Sequence, residues 1–187
     1  MKRSGVIIIV IIAALVLWGI SVRNGLATAK TDINGKWGQV ENQFQRKMKL
    51  YENVIATIKG SAKNEDTTLI KITQMRAKIP AIDANNPQSV ADANRMLDQM
   101  KSSINISVEA YPTIQTTQAF RDFQTEIAGT ENRVTTAIMD WNNAITAYNT
   151  KLVKFPSNLI AGMFGYKEMA NYKADEGAKD TKVDFSK

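Results

Sequence analysis

The sequence has 187 residues, carries 24 lysines and arginines against 18 acidic residues, and contains neither cysteine nor histidine. A chain of this length forms one domain, or one domain with an anchor. The lack of cysteine excludes disulfides, thiolate nucleophiles and cysteine-ligated zinc. The lack of histidine excludes Ser-His and Cys-His catalytic pairs and metal sites of the HExxH type.

An uninterrupted apolar stretch lies near the N-terminus. Residues 5–22 hold no charge, and the stretch from Val6 to Leu17 consists only of Val, Ile, Leu and Ala. A membrane-spanning helix needs about 17–25 apolar residues, and Trp18 suits the interface where a span meets water. The sequence therefore predicts that the chain crosses a lipid bilayer once, through residues 5–22.

The same stretch also fits a cleavable signal peptide, with Lys2 and Arg3 before it and Ala-Thr-Ala at residues 27–29 as a cleavage site. The apolar run is long for a signal peptide, and Arg23 lies between the run and the cleavage site. We therefore favour an uncleaved anchor. Basic residues on the two sides of the run are nearly balanced, so charge alone assigns no orientation.

The remaining sequence has a helical pattern, because apolar residues recur at steps of three and four and no stretch alternates with a period of two. Breaks at Gly60-Ser61, Pro80, Pro87 and Pro112 divide it into four predicted helices. We place these helices at about 28–60, 64–79, 87–111 and 113–154. The apolar stripes on which they rest contain Trp37, Val40, Phe44, Met48, Tyr51, Ile55 and Ile58; Leu69, Ile72 and Ile79; Val90, Ala93, Leu97, Met100, Ile104 and Val108; and Phe120, Phe123, Ile127, Val134, Ile138, Trp141, Ile145, Tyr148 and Leu152.

The predicted fold class is all-α, with an N-terminal transmembrane helix followed by an antiparallel bundle of about four long helices. Phe155-Pro156 ends the fourth helix, and Ser157 or Asn158 is expected to cap a short apolar turn after it. From Lys167 onward, charged residues are frequent and apolar residues few, which indicates a mobile tail. The predicted organisation is an anchor at 1–23, a bundle domain at 24–166 and a polar tail at 167–187.

Four groups of strings resemble motifs of the LemA family. Together with the apolar N-terminal segment, the resemblance covers about residues 5–166, and the order and spacing of the strings make the combination specific. The first group runs from Trp37 through Asn53-Val54-Ile55 to Ile58-Lys59-Gly60-x-Ala62-x-x-Glu65; the second is Glu109-Ala110-Tyr111-Pro112; the third combines Phe120-x-x-x-Gln124-x-Glu126, Thr130-Glu131-Asn132-Arg133, Trp141-Asn142 and Tyr148-Asn149; and the fourth is Phe155-Pro156-Ser157-Asn158-Leu159-Ile160-Ala161.

This resemblance implies a single-pass protein of the bacterial cell membrane with a helical-bundle domain on the cytoplasmic side. It also implies an accessory or scaffold protein of the cell envelope without established enzymatic activity. The chain departs from the family pattern at Lys49 and Glu52, where the family tends to have Asp and Pro. Because the first change adds positive charge, we expect a basic patch formed by Arg46, Lys47 and Lys49.

Two polar residues interrupt an apolar column on the fourth helix. Positions 124, 131, 138, 145 and 152 are seven residues apart and lie along one face, but the first two are Gln124 and Glu131. A buried carboxylate is unfavourable unless it is paired and hydrogen-bonded. The two residues could form a polar site for a ligand or partner group. We favour a structural role, in which Arg76, Lys59 or Arg133 pairs with Glu131 and fixes the helix register.

Glu109, Glu126 and Glu131 could form a carboxylate cluster for a hard cation or for acid–base catalysis. Metal-binding bundles of the ferritin type require Glu-x-x-His pairs, which a chain without histidine cannot supply. We therefore expect no metal, no cofactor and no enzymatic activity. Asn142, Asn143 and Asn149 could contribute to a sugar- or peptide-binding surface, although packing between helices or exposure to water explains them more simply.

The positive charge is concentrated near the predicted anchor. Over residues 36–63, six basic residues against Glu41 and Glu52 give +4, whereas residues 64–187 sum to −1. This stretch could attract anionic lipid headgroups, meet an acidic partner, or simply form a solvated helix face. Nucleic acid is not expected as a partner, because the chain is tethered and shows no groove-reading motif.

The sequence thus predicts a membrane-anchored, non-enzymatic interaction or scaffold protein of the bacterial envelope, with membrane-associated proteins as partners and an oligomeric state that the sequence does not fix. The alternative is a module that binds a ligand, peptide or lipid in a polar groove, which requires a pocket of about a few hundred cubic ångströms. Candidate interaction or structural positions are Arg46, Lys47, Lys49, Asn53, Lys59, Glu65, Glu109, Gln124, Glu131, Asn132, Asn142 and Asn149.

Overall fold

The computed structural model describes residues 3–61, 67–110 and 117–173, and it confirms the all-α fold class. Apart from one isolated bridge between Asp83 and Asn86, these residues contain no β-structure. They form five helices: α1 (Arg3–Ser61), α2 (Thr67–Lys78), α3 (Pro87–Ala110), α4 (Gln118–Val153) and α5 (Ser157–Met163).

Helix α1 joins the predicted anchor and the first bundle helix without interruption. The first bundle helix, which the sequence placed from about residue 28, therefore continues directly from the anchor helix. Asn24 and Gly25 disfavour a helix by at most about 1 kcal/mol each. Leu26 and Ile33 are buried, and burying such a side chain contributes about 1.5–3 kcal/mol. Burial outweighs propensity here, so the helix continues to Ser61, where the sequence predicted its end.

The other helices lie close to their predicted positions. Helix α2 ends two residues before Pro80, and α3 begins at Pro87, whose fixed φ angle suits the first turn of a helix. Helix α4 ends at Val153, one residue before the predicted end. The predicted boundaries at 62–66 and 111–116, including Pro112, lie outside the described residues.

The short apolar turn expected after Pro156 is helix α5. Its expected cap is wrong: Pro156 occupies the N-cap position, and no side chain caps the helix. Its C-terminal end is more regular. Gly165 has a φ of +68°, and the Tyr166 N–H donates to the Ala161 carbonyl at 3.0 Å, the bond expected of a Schellman motif.

Two compact units divide the chain. Unit 1 comprises Met1–Gly38 and Met139–Met169. Trp37 and Trp141 form its aromatic centre with ring centroids 4.8 Å apart, and an ion pair of 3.7 Å joins Lys36 to Asp140. The other buried apolar residues of unit 1 are Leu26, Ile33, Ala144, Ile145, Tyr148, Leu152 and Ala161.

Unit 2 comprises Gln39–Ile138 together with Ala170–Lys187. Its helices α2 and α3 pack against each other, and the rings of Tyr51 and Phe123 meet edge to face at 5.6 Å. The predicted apolar stripes supply most of its core. The other buried apolar residues of unit 2 are Val40, Phe44, Val54, Ile55, Ile58, Ile72, Val90, Ala91, Ala93, Leu97, Met100, Ile104, Val108, Ile127, Val134, Ala137 and Ile138.

The first residues of the predicted mobile tail are hydrogen-bonded within unit 1. The Tyr148 hydroxyl donates to the Lys167 carbonyl at 3.1 Å. The Asn149 side chain donates to the Met169 carbonyl at 2.8 Å and accepts from the Met169 N–H at 3.0 Å. These bonds hold residues 167–169 beside α4. The remainder of the predicted tail, residues 174–187, lies outside the described residues.

Candidate interaction site

The three basic residues that were expected to form one patch on α1 do not share a surface. Arg46 is exposed and donates to Glu126 Oε2 at 2.7 Å. Lys49 is exposed and lines a groove. Lys47 is buried, with 2% of its surface exposed. The predicted patch of Arg46, Lys47 and Lys49 is therefore wrong, because successive residues of a helix are turned by about 100° and Lys47 faces the core.

Lys47 is buried because it occupies a core position of α1. The buried residues Val40, Phe44, Lys47, Tyr51 and Val54 follow one another at alternating steps of four and three. Sequence reasoning placed the half-buried Met48 in this stripe instead of Lys47. The spacing alone would have identified Lys47, but lysine is almost never fully buried unless it is paired.

The Lys47 ammonium meets two polar side chains of α3. Its Nζ lies 3.5 Å from Asn94 Oδ1 and 3.7 Å from Asp98 Oδ1. Burial lowers the pKa of Lys47 because the protonated form loses hydration, and the negative charges of Asp98 and then Glu131 oppose this effect. The Asp98 carboxylate is largely solvated, with 66% of its side chain exposed. The buried Lys47 ammonium is therefore paired with a carboxylate that itself remains in contact with solvent.

Glu131 is paired with a residue that the sequence did not indicate. Lys101 Nζ lies 2.9 Å from Glu131 Oε1, so the partner is Lys101 rather than Arg76, Lys59 or Arg133. The predicted structural pairing of Glu131 is thus present with a different cation. We refer to Lys47, Asn94, Asp98, Lys101 and Glu131 together as the Lys47 cluster, which contains two cations and two carboxylates.

Two buried hydroxyl groups of unit 2 make no hydrogen bond with any described residue, namely those of Tyr51 and Thr130. Burial raises the pKa of Tyr51, and the negative charges of Glu131 and Asp98 raise it further. Tyr51 therefore stays neutral over the physiological range. A buried polar group without a partner is unfavourable by about 1–3 kcal/mol, so these hydroxyls weaken unit 2.

Gln124 does not occupy the core position expected for it. It is exposed, and its amide donates to Asn105 Oδ1 at 3.1 Å. A straight helix drifts by about 20° for every seven residues, so a column of sevens rotates gradually away from the core. On α4 the column is exposed at Gln124, half-buried at Glu131 and buried at Ile138. The two polar residues therefore form no shared internal site.

A groove with a volume of about 550 Å³ lies within unit 2. Phe44 and Met48 of α1 and Ala93 of α3 form apolar walls, and Lys49 is one of its charged residues. The remaining lining residues are Glu41, Gln45, Glu52, Ile79, Pro80, Ala81 and Ile82. The groove is of the size predicted for a ligand site, but it is mainly apolar and neither Gln124 nor Glu131 lines it.

A smaller cavity of about 240 Å³ contains one further predicted residue, Lys59, beside Arg76 and Glu52. Arg76 forms an ion pair with Glu52, so the second departure from the family pattern takes part in a contact between α1 and α2. Asn53, Glu109 and Asn132 are exposed, and Glu65 lies outside the described residues.

The two asparagines selected on α4 lie in unit 1. Asn142 is half-buried. Asn149 holds Met169 through the two hydrogen bonds described above, which gives it a packing role. Beside it, burial raises the pKa of Tyr148, and Tyr166 raises it further. Sequence reasoning selected Asn149 but did not identify the segment that it binds.

Two of the three carboxylates considered for catalysis form ion pairs with different lysine or arginine side chains. Glu126 pairs with Arg46 and Glu131 pairs with Lys101, whereas Glu109 is exposed. Within the described ranges, no group of three or more Asp or Glu side chains is close enough together to hold a metal ion. These ion pairs join side chains of different helices, so the geometry supports a structural role for Glu126 and Glu131.

Comparison with known proteins gives a family match over most of the chain. The sequence model of the LemA family matches residues 36–185. The chain is also 25% identical over 154 residues to Protein LemA of Metamycoplasma hominis, a match that covers 82% of this chain and 70% of that protein.

A shorter similarity extends to proteins that are named as magnetosome proteins. The chain is 36% identical over 76 residues to Magnetosome protein MamQ 2 of Paramagnetospirillum magneticum and 28% identical over 76 residues to Magnetosome protein MamQ of Magnetospirillum gryphiswaldense. Each match covers 41% of this chain and 28% of the relative. The chain therefore spans less than a third of these relatives, and the similarity concerns one segment.

Proposed function

The chain belongs to the LemA family, and we propose that it is a membrane-anchored helical bundle that acts as a non-enzymatic interaction or scaffold module of the bacterial envelope. One observation carries the proposal. The large apolar side chains from Val6 to Ile20 are exposed, although they belong to the same helix as the buried Leu26 and Ile33. Apolar surface in water is unfavourable by about 25 cal/mol per Å², and a bilayer removes that penalty.

The apolar run also has the length that a membrane requires. At a rise of 1.5 Å per residue, residues 5–22 cover roughly 27 Å, close to the bilayer core of about 30 Å. Among the described residues, α1 is the one helix long and apolar enough to cross a membrane. Cleavage after residue 29 would remove the buried Leu26 from unit 1, which supports retention of the segment.

The proposed mechanism is tethering. The anchor confines the bundle to the membrane and raises its effective concentration for membrane-associated protein partners. The surface of unit 2 carries mixed ion pairs such as Arg46–Glu126, which is typical of a solvated surface. We place the bundle on the cytoplasmic side from the family resemblance.

Because the chain lacks cysteine, single cysteines can test the anchor and its orientation. We expect a membrane-impermeant maleimide to label Ser4→Cys on intact cells, and to label Ser102→Cys only after permeabilisation. Both positions are exposed. The reverse labelling pattern would overturn the cytoplasmic placement. Release of the full chain from membranes by alkaline carbonate would contradict the anchor itself.

The scaffold role requires a partner. A photo-crosslinking residue at the exposed positions Asn53 or Asn132 should give a reproducible adduct with a membrane protein. The adduct should disappear when Ile12→Lys and Leu15→Lys place charges in the middle of the span and detach the chain. Absence of any adduct at both positions in several growth conditions, from a monodisperse chain, would contradict the scaffold role.

A second candidate function is the binding of an apolar ligand or peptide, and the groove of about 550 Å³ favours it. Its volume lies within the range of small-molecule sites. Ala81 lines the groove and is exposed, so Ala81→Trp should fill the groove without disturbing the core. Ala77→Trp, at an exposed position of α2, is the matched control.

The test is titration with an apolar fluorescent probe. If the groove binds ligands, Ala81→Trp should weaken binding of the probe by about tenfold, as loss of a well-packed apolar contact predicts, whereas Ala77→Trp should not. Equal binding by both variants and the parent chain would exclude the groove as the site.

A further inference from the structure

We propose that the segment from Phe155 to Tyr166, which contains α5, is a second membrane-contacting element and inserts its apolar side chains into the lipid interface beside the span. This inference rests on the proposed membrane anchor. The segment holds no charged residue, and Lys154 and Lys167 flank it. Its apolar residues can enter the lipid while the lysines at both ends meet the headgroups.

The apolar side chains of this segment are unusually exposed. Phe155 is 80% exposed and Met163 is 79% exposed, and Leu159 and Phe164 are also exposed. Leu159 and Met163 are four residues apart and therefore share one face of α5. The opposite side contains the buried Ala161. The segment thus packs into unit 1 on one side and leaves a large apolar surface on the other.

Contacts with α1 place this surface beside the end of the apolar run. Ile160 Cδ1 lies 3.5 Å from the position that a Cβ of Gly19 would occupy. One turn further along α1, the guanidinium carbon of Arg23 lies 5.3 Å from the centre of the Phe164 ring. Gly19 and Arg23 lie four residues apart and thus on one face of α1, and α5 follows that face.

The depth of the contact matches the lipid interface. Gly19 is three residues from the end of the apolar run at Val22, which corresponds to roughly 5 Å along the helix axis. Amphipathic helices at a membrane surface bury their apolar face by about 5–10 Å. Arg23 can extend its charged group towards the headgroups while Phe164 lies under it. If residues 5–22 span the bilayer, α5 must therefore lie in its interfacial layer.

The segment is also held in place from its other end. The hydrogen bonds from Tyr148 to Lys167 and between Asn149 and Met169 fix the chain that follows α5 to α4. A bilayer is the occupant that these observations favour, because the exposed surface continues directly from a helix segment whose own large apolar side chains are exposed.

Depth-dependent quenching tests the inference on the full chain in vesicles of mixed phosphatidylcholine and phosphatidylglycerol. Fluorophores are attached to Leu15→Cys, Met163→Cys or the exposed Gln99→Cys. We expect deep spin-labelled lipids to quench the label at Leu15→Cys, and shallow ones to quench the label at Met163→Cys. The Gln99→Cys label should be quenched by neither.

The outcomes separate this inference from the proposed function. Quenching at Leu15→Cys without quenching at Met163→Cys overturns the inference and leaves the anchor intact. Quenching at neither position overturns the anchor and the inference together. If the label at Met163→Cys is shielded from water only at a high ratio of chain to lipid, a second copy of the chain covers the apolar surface of the segment. That result would also overturn the inference.

A paired substitution tests whether the apolar side chains cause insertion. Phe155→Asn with Met163→Asn should lower the membrane-inserted population, read from a label at Leu159→Cys, by roughly tenfold or more, because both exposed apolar side chains lose their favourable transfer into lipid. The control is Ile106→Asn with Met139→Asn, which changes exposed apolar residues elsewhere and should have no effect. Equal quenching in both pairs would overturn the proposed insertion.

Discussion

Unit 1 exposes apolar side chains, whereas unit 2 buries a cation. In unit 1, the side chains from Val6 to Ile20 and those of Phe155 and Met163 are exposed. In unit 2, Lys47 lies in the core with Asn94 and Asp98 as neighbours. Soluble proteins bury apolar side chains and expose charged ones. Unit 1 departs from this pattern by exposing apolar side chains, and unit 2 departs from it by burying a charge.

The difference shows how far the surrounding medium decides where a residue is stable. Exposed apolar surface on this scale is unfavourable in water, and its presence in unit 1 favours a lipid environment. A buried cation is unfavourable in any apolar medium unless it is paired, and Lys47 meets this condition through the exposed carboxylate of Asp98. The exposed apolar side chains of unit 1 thus indicate where the protein is located. The paired charges of unit 2 indicate how its helices are held in register.

The largest effect should come from the aromatic centre of unit 1. Trp141→Ala removes a fully buried ring that packs on Trp37, and we expect a loss of about 3–5 kcal/mol in the free energy of unfolding. Chemical denaturation of the full chain in detergent micelles, followed by circular dichroism, measures it. The control Met139→Ala, at an exposed position, should change stability by less than about 0.5 kcal/mol. Equal effects would show that unit 1 has no packed core of its own.

The second-largest effect on stability should come from removing the counter-ion of the buried Lys47. Asp98→Asn leaves Lys47 charged in the core and should destabilise the chain by about 1–2 kcal/mol, less than for a fully buried pair because Asp98 is exposed. Lys47→Met removes the buried charge and should be neutral or stabilising by about 1 kcal/mol. Denaturant titration of both variants makes the comparison. If Lys47→Met destabilises the chain as much as Asp98→Asn does, burial of the Lys47 charge carries no net penalty, and the expectation is contradicted.

The third effect concerns the unpaired hydroxyl of Tyr51. Its pKa is raised in the folded chain, so the unfolded chain loses the phenol proton first, from about pH 10. Above that pH the unfolded state binds fewer protons, and stability falls as pH rises. Tyr51→Phe should stabilise the chain by about 1 kcal/mol at neutral pH, with a larger gain above pH 10. Denaturation at several pH values measures this gain.

Thr130→Val is the matched control for Tyr51→Phe, because it removes the other unpaired buried hydroxyl of unit 2 without removing a titratable group. Its gain in stability should be about the same at neutral pH and independent of pH. A gain from Tyr51→Phe that stays constant above pH 10 would show that the folded environment does not raise the pKa of Tyr51.

The smallest effect should come from the exposed ion pair between Arg46 and Glu126. Its atoms lie 2.7 Å apart, but both side chains are well exposed. Glu126→Gln should lower stability by less than about 1 kcal/mol, and added salt should reduce the difference. Comparison with Asp98→Asn at the same salt concentrations measures it. If Glu126→Gln lowers stability as much as Asp98→Asn does, the contribution of a charge pair to the stability of unit 2 does not depend on whether its cation is buried.

Most of the fold could be predicted from local pattern. The apolar stripes at steps of three and four gave the approximate positions of the described bundle helices, and Pro80 and Pro87 marked two of their boundaries. The candidate site was less predictable. Asn149 was selected without its partner, because Met169 lies 20 residues away and a side chain that bonds to distant backbone groups leaves no pattern in the sequence. The partner of Glu131 was missed for the same reason, since Lys101 comes from another helix.

The sequence by itself determined the helical fold class, the apolar N-terminal run and the absence of cysteine and histidine chemistry, because these depend only on residue type and spacing. The tertiary structure decided what became of the charge. Arg46, Lys47 and Lys49 were expected to form one basic patch, but packing buries Lys47, pairs Arg46 with Glu126 and turns Lys49 towards a groove. The rotation of a helix against its neighbours determines which lysine is buried, and that rotation depends on contacts between distant residues.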